Sequence, residues 1–69
     1  MDQEEWEKEA LLLAQKINSW FCFGRKAKIQ RLVTLIRQGS AYCEHGRVPD
    51  QKRLEETLNK VEKIISKYV

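Results

Sequence analysis

Apolar residues recur at helical spacing along almost the whole of this chain, and in the first segment they spill beyond a single face. Setting successive residues 100° apart places Trp6, Ala10, Leu13, Ala14, Ile17, Trp20 and Phe21 inside an arc of roughly 120°, the width of a core-facing stripe. Leu11, Leu12, Cys22 and Phe23 fall outside it, Leu11 in line with Cys22 and Leu12 with Phe23. Such a helix packs against more than one neighbour, and a chain of 69 residues has few to offer. One of those neighbours is therefore expected to belong to another molecule.

The same periodicity divides the chain into three helices, at about 3–23, 25–45 and 50–68. Asp2 is placed to cap the first, and the acids Glu4, Glu5, Glu7 and Glu9 suit the positive end of its dipole. Gly24 is the expected stop, with Asn18-Ser19 as an earlier alternative that would leave Trp20-Phe21-Cys22-Phe23 in a turn. In the second helix Ile29, Leu32, Val33, Ile36 and Cys43 share a face, with Leu35 and Tyr42 on a neighbouring ridge. Gly39 either ends this helix or lies within it and permits a close helix approach. Gly46 and Pro49 mark the next boundary and Asp50 caps the third helix, where Leu54, Leu58, Val61, Ile65 and Tyr68 form a narrow stripe bordered by Thr57 and Ile64. The expected fold is all-α: a small three-helix bundle, or a long helical hairpin plus a shorter helix, in one domain spanning 1–69.

Length then sets the energetic problem. A core of this size rarely supplies more than about 3–5 kcal/mol unaided, so extra support is expected from a disulfide, a metal or an oligomer, and the spare apolar surface of the first helix points to a homodimer through it. No apolar run approaches the ~20 residues of a membrane span, and the acidic start Asp2-Gln3-Glu4-Glu5 is unlike a signal peptide. These features point to a cytoplasmic protein. Its two cysteines, Cys22 and Cys43, are too few for a secreted disulfide framework and read as small buried thiols, although spacing alone leaves a bridge between them open.

Catalysis finds little support in the residues. His45 is the single histidine, no glycine-rich phosphate loop is present, and the carboxylates gather at the amino end or alternate with Lys and Arg along the third helix. Cys22, Cys43 and His45 lack a fourth ligand and a familiar zinc spacing. No enzyme, no metal site and no cofactor is therefore expected. Lys16, Arg25, Lys26, Lys28, Arg31 and Arg37 make residues 16–37 an unopposed +6 stretch beside aromatic rings, which would suit nucleic acid. On the helix wheel, however, Lys26 and Arg37 border one side of the apolar stripe while Lys28 and Arg31 border the other, as cations do when their stems cover a core edge.

The stretch Asn59–Tyr68 resembles the closing helix of the small helical-hairpin phosphatases that act on aspartyl-phosphate sporulation regulators. Leu58 and Asn59 stand where that family's motif carries serine and glutamine, so the resemblance implies no activity here.

The residues point first to a small regulator or adaptor that binds another protein, a second copy of itself included, through Leu11, Leu12, Trp20 and Phe23. The alternative is a small DNA- or RNA-binding regulator using Arg25, Lys26, Lys28, Arg31 and Arg37. The two readings part on whether the apolar ridges or the cations are left free at the surface.

Overall fold

The computed structural model describes residues 2–46 and 48–68. Three helices, α1 (Gln3–Asn18), α2 (Arg25–Glu44) and α3 (Gln51–Ile65), pack mutually into a bundle of 36 × 19 × 17 Å. Each start has a physical cause. The Asp2 carboxylate accepts the Glu4 amide at 3.0 Å and the Asp50 carboxylate accepts the Arg53 amide at 3.1 Å, satisfying helix-start donors that have no partner of their own. Gly24 enters α2 at φ 69° and Gly46 leaves it at φ 61°, both in the left-handed region that a side chain disfavours. Arg47, in the second turn, lies outside the described residues.

Two clasps set the helix order. The Gln3 side chain exchanges a pair of hydrogen bonds with the Asp50 backbone, donating to its carbonyl at 2.8 Å and accepting from its amide at 3.0 Å. At the other end the Tyr68 hydroxyl donates to Asn18 Oδ1 at 3.3 Å. Consequently α1 and α3 run in parallel, their starts together and their ends together, with α2 antiparallel to both.

Trp6, Ala10, Leu13, Ala14 and Ile17 from α1, Leu32 and Leu35 from α2, and Leu54, Leu58, Val61 and Ile65 from α3 form the core. Full burial of each larger side chain is worth roughly 1.5–3 kcal/mol. Gly39 lies inside α2, and its role there is steric: a Cβ at this position would meet the Trp6 ring, lying 3.0 Å from both Cε2 and Cη2. The indole uses that space to donate from Nε1 to the Leu35 carbonyl at 2.9 Å, which satisfies its one polar atom in the core.

The first helix is shorter than its apolar stripe. It ends at Asn18, not near residue 23, because Ser19 turns extended at φ −67° and ψ 142°. Arg25, reaching back from the first turn of α2, receives the end of α1: its Nε donates to the Ile17 carbonyl at 3.3 Å and its Nη2 to the Ser19 carbonyl at 2.9 Å. Helix-end carbonyls that would otherwise lack donors are thus satisfied by a cation suited to that end of the dipole. The alignment of Leu11 with Cys22 and of Leu12 with Phe23, which needed an unbroken helix, does not form. The third helix likewise stops at Ile65 and passes into a turn over Ser66, Lys67 and Tyr68.

Candidate functional site

Ending α1 at Asn18 puts the aromatic cluster on the surface. Trp20 is 93% exposed, Phe23 84% and Phe21 69%, and Leu12 on the outer face of α1 is 52% exposed. Leu11 is half-buried against the core. Of the four residues read as a protein-binding surface, Leu12, Trp20 and Phe23 are open and Leu11 is shared with the core edge. Trp20, assigned to the core stripe by periodicity, belongs instead with the exposed group, and so does Phe21. Its ring meets Trp20 edge-on, with centroids 6.0 Å apart and planes at 61°. Rings left this free in water are costly unless something covers them, since each aromatic side chain has about 150–250 Å² to bury.

The loop that carries these rings is tied at its base. Besides receiving the carbonyls of Ile17 and Ser19, Arg25 lies over the Tyr68 ring at 4.9 Å, and Lys28 donates to the Phe23 carbonyl. Two side chains, Arg25 and Lys28, therefore hold the backbone of a segment whose own apolar side chains are exposed, and the Asn18–Tyr68 side-chain bond steadies the end of α1 from which it leaves. That is the opposite of ordinary loop design, in which the apolar side chains anchor and the polar ones face solvent.

The five cations read as a nucleic-acid surface, Arg25, Lys26, Lys28, Arg31 and Arg37, do not form one open face. Arg25 and Lys28 are engaged with the loop, and Arg31 pairs with Glu9 of α1, which answers part of the charge in residues 16–37. Lys26 and Arg37 are exposed and, among the described residues, have no ion pair. They stand three turns apart on α2, roughly 16 Å along its axis.

At the opposite end the polar chemistry lies inside. Glu7, read with the solvated acids of the first turns, is buried, as are Gln3 and Thr57. Its Oε1 accepts from Arg53 Nε at 3.2 Å, Thr57 Oγ1 at 3.3 Å and Gln3 Nε2 at 3.4 Å. Its Oε2 lies 2.7 Å from Arg53 Nη2 as an ion pair without hydrogen-bond geometry. The hydrogen bond to Glu7, and then its charge, push the Arg53 guanidinium further above its already high ordinary pKa. Two features of its position distinguish Glu7 from Glu4 and Glu5: it adjoins the Trp6 stripe and stands one turn after Gln3. The network ties α1 to α3 as a clasp, and Glu7, Arg53 and Thr57 also line an open pocket on the seam between the two helices.

Cys22 precedes α2 and Cys43 lies in its last turn, so the length of the helix, roughly 30 Å for this separation, keeps the two thiols too far apart to bridge. The same separation removes Cys22 from any site shared with Cys43 and His45. Burial, and secondarily Glu55, raise the Cys43 pKa, which leaves its thiol less reactive than a free one. No helix among the described residues is long and apolar enough to cross a membrane.

A feature that no helix wheel contains lies along the α1–α3 seam. Leu11, Gln15 and Ile64 floor an open groove of about 550 Å3 whose rim carries Lys60, Lys63 and Lys67. Ile64 stands at the border of the α3 stripe, the one sequence signal that α3 has apolar surface to spare. No family model matches the chain, and neither the curated proteins nor the solved structures hold a significant match to it.

Proposed function

We propose that this protein is a non-enzymatic protein-binding module, acting as a small regulator or adaptor, whose contact surface is the aromatic loop Trp20–Phe23 together with Leu12. The observation that carries the reading is the combination of exposed rings and a braced backbone. Binding costs free energy when side chains and loops must be ordered, and a loop already tied through Arg25 and Lys28, at a helix end steadied by the Asn18–Tyr68 bond, reduces that cost. Trp and Phe on such a platform are the residue types that dominate interface energetics. Two thiols without a partner in reach of each other suit a reducing, cytoplasmic setting.

The nucleic-acid reading draws less support, because three of its five cations, Arg25, Lys28 and Arg31, are engaged within the bundle. Exposed aromatic rings can stack on bases, and Lys16, Lys26, Lys63 and Lys67 are exposed at the same end, so the nuclease arm of the test separates that contact from a protein one.

The test compares the wild-type chain with a Trp20→Ser/Phe23→Ser variant as baits in nuclease-treated native lysate, with light scattering on each alone. Because both side chains are exposed, the variant should keep its helical circular dichroism and lose no more than about 0.5 kcal/mol of stability. Partners held by the wild-type chain, or the doubled mass of a self-associated one, should be lost from the variant. Capture that survives the double substitution, or that disappears with nuclease, overturns the reading.

A further inference from the structure

The two ends of the bundle differ in charge as sharply as in polarity. Between Glu9 and Glu44 there is no carboxylate, and beyond Glu62 none follows before the end of α3. The end that carries the aromatic loop therefore gathers Lys16, Lys26, Lys63 and Lys67, all exposed, above Lys60 one turn below, while Asp2, Glu4, Glu5, Glu44 and Asp50 collect at the other. Among the described residues, none of those five lysines has an ion-pair partner. Glu62, the nearest carboxylate in α3, lies on the opposite side of that helix from Lys60, Ile64 and Lys67 by helical periodicity.

The groove between α1 and α3 belongs to this cationic end. Gln15 and Lys67 at its upper mouth are within a turn of Asn18 and Tyr68, the pair that ties the root of the aromatic loop. Lower down, past Leu11 and Lys60, the seam continues beside Glu4, Glu7 and Glu56, and the sign of its lining charge becomes mixed. The apolar, lysine-rimmed part is roughly 10 Å long, about two helical turns.

We infer that this groove seats an acidic amphipathic segment of a partner protein, with its aliphatic side chains against Leu11 and Ile64 and its carboxylates facing Lys60, Lys63 and Lys67. The inference rests on the protein-binding reading and names the chemistry of the partner. Charge complementarity selects the acidic class, since a neutral or basic segment would leave the three ammonium groups unanswered beside a buried apolar contact. A second copy fits poorly, because joining two such ends brings their lysines together. A flat anionic membrane could meet the lysine rim but would not fill the groove between the two helices, which a single segment can enter. The aliphatic stems of the lysines extend the apolar walls while their charges stay in solvent, which makes the seat apolar at its floor and cationic at its rim.

A random 16-residue peptide library displayed on phage, selected on the immobilised full chain, tests this directly. Wild-type bait should enrich peptides in which Asp or Glu accompanies Leu, Ile or Phe at helical spacing. The Lys60→Glu/Lys63→Glu/Lys67→Glu variant, altered only at exposed positions, should lose that bias and bind the leading wild-type peptide at least tenfold more weakly. No enrichment, enrichment without acidic bias, or equal binding by the triple variant overturns the inference. So does sedimentation with phosphatidylserine-containing vesicles that the leading peptide fails to compete, or a doubled mass that it fails to dissociate. Acidic peptides that bind the Trp20→Ser/Phe23→Ser variant undiminished would sustain the groove and sink the aromatic loop as its anchor, so the two failures are distinct.

Discussion

The two ends of this bundle solve opposite problems. At the amino end of α1, a carboxylate is inside and satisfied: Glu7 is buried among Gln3, Thr57 and Arg53, and Gln3 in turn closes on Asp50. At the carboxyl end, three aromatic rings are outside and uncovered, on a loop whose backbone is held by polar side chains. Burying a charge is costly unless it is paired and hydrogen-bonded, and exposing large rings is costly unless they meet something. The first cost is met within the chain, which marks the Glu7 cluster as a structural clasp. The second is left unmet within the chain, and the binding reading of the aromatic loop rests on that contrast.

The largest expected effect probes the core between these ends. Trp6→Ala removes a buried indole that fills the gap beside Gly39, a loss of about 3–5 kcal/mol and comparable to what a core of this size supplies. Circular dichroism should show the variant mostly unfolded at 25 °C. Trp6→Phe, which keeps most of the ring but loses the bond to the Leu35 carbonyl, should remain folded with a lower urea midpoint. A folded Trp6→Ala chain would mean that the bundle does not depend on this contact.

Next in size is the clasp itself. Arg53→Ala leaves the Glu7 carboxylate buried without its cation, but half of the Arg53 side chain faces solvent, so the urea midpoint should fall by less than it would for a fully buried pair and by less than for Trp6→Ala. Glu7→Gln in the same background should recover part of the loss in urea titrations, because the uncompensated charge is gone. If the double variant is less stable than Arg53→Ala alone, the clasp acts through packing and the contrast between the two ends weakens.

The smallest effect concerns Cys43, whose thiol is raised above its ordinary pKa by burial and then by Glu55. Folding therefore favours the protonated form. That contribution is fully present below the unfolded value of about 8.5 and is lost as pH rises through the higher folded value. In a Cys22→Ser background, iodoacetamide at pH 8.5 should label the remaining thiol more slowly in the native chain than in urea. Equal rates would show that the end of α2 offers Cys43 no protection.

Much of the exposed apolar surface is legible in the sequence. Trp20, Phe23 and Leu12 stand out there because a chain this short has too little else to cover them, and they are exposed. Helical periodicity wrongly places both Trp20 and Phe21 on the core stripe, because it carries a stripe forward for as long as no breaker interrupts it, and Asn18-Ser19 is a weak one. The spare apolar residues Leu11 and Ile64 are legible one helix at a time, but the groove is not, since it exists only where the two helices bring them together.

The helices themselves follow from consecutive residues alone: the 3.6-residue period, the caps at Asp2 and Asp50, the turns at Gly24 and Gly46, and the stripe Leu54, Leu58, Val61 and Ile65 are local properties of the chain. Packing sets where α1 stops, because Arg25 and Tyr68 reach its last turn only when α2 and α3 are in place. Packing also puts Glu7 inside, through an arginine and a threonine far along the chain, and lets Gly39 continue a helix instead of ending one, because Trp6 occupies the space a side chain would need. Each of these depends on an atom supplied by a different helix, and periodicity within one helix carries no record of it.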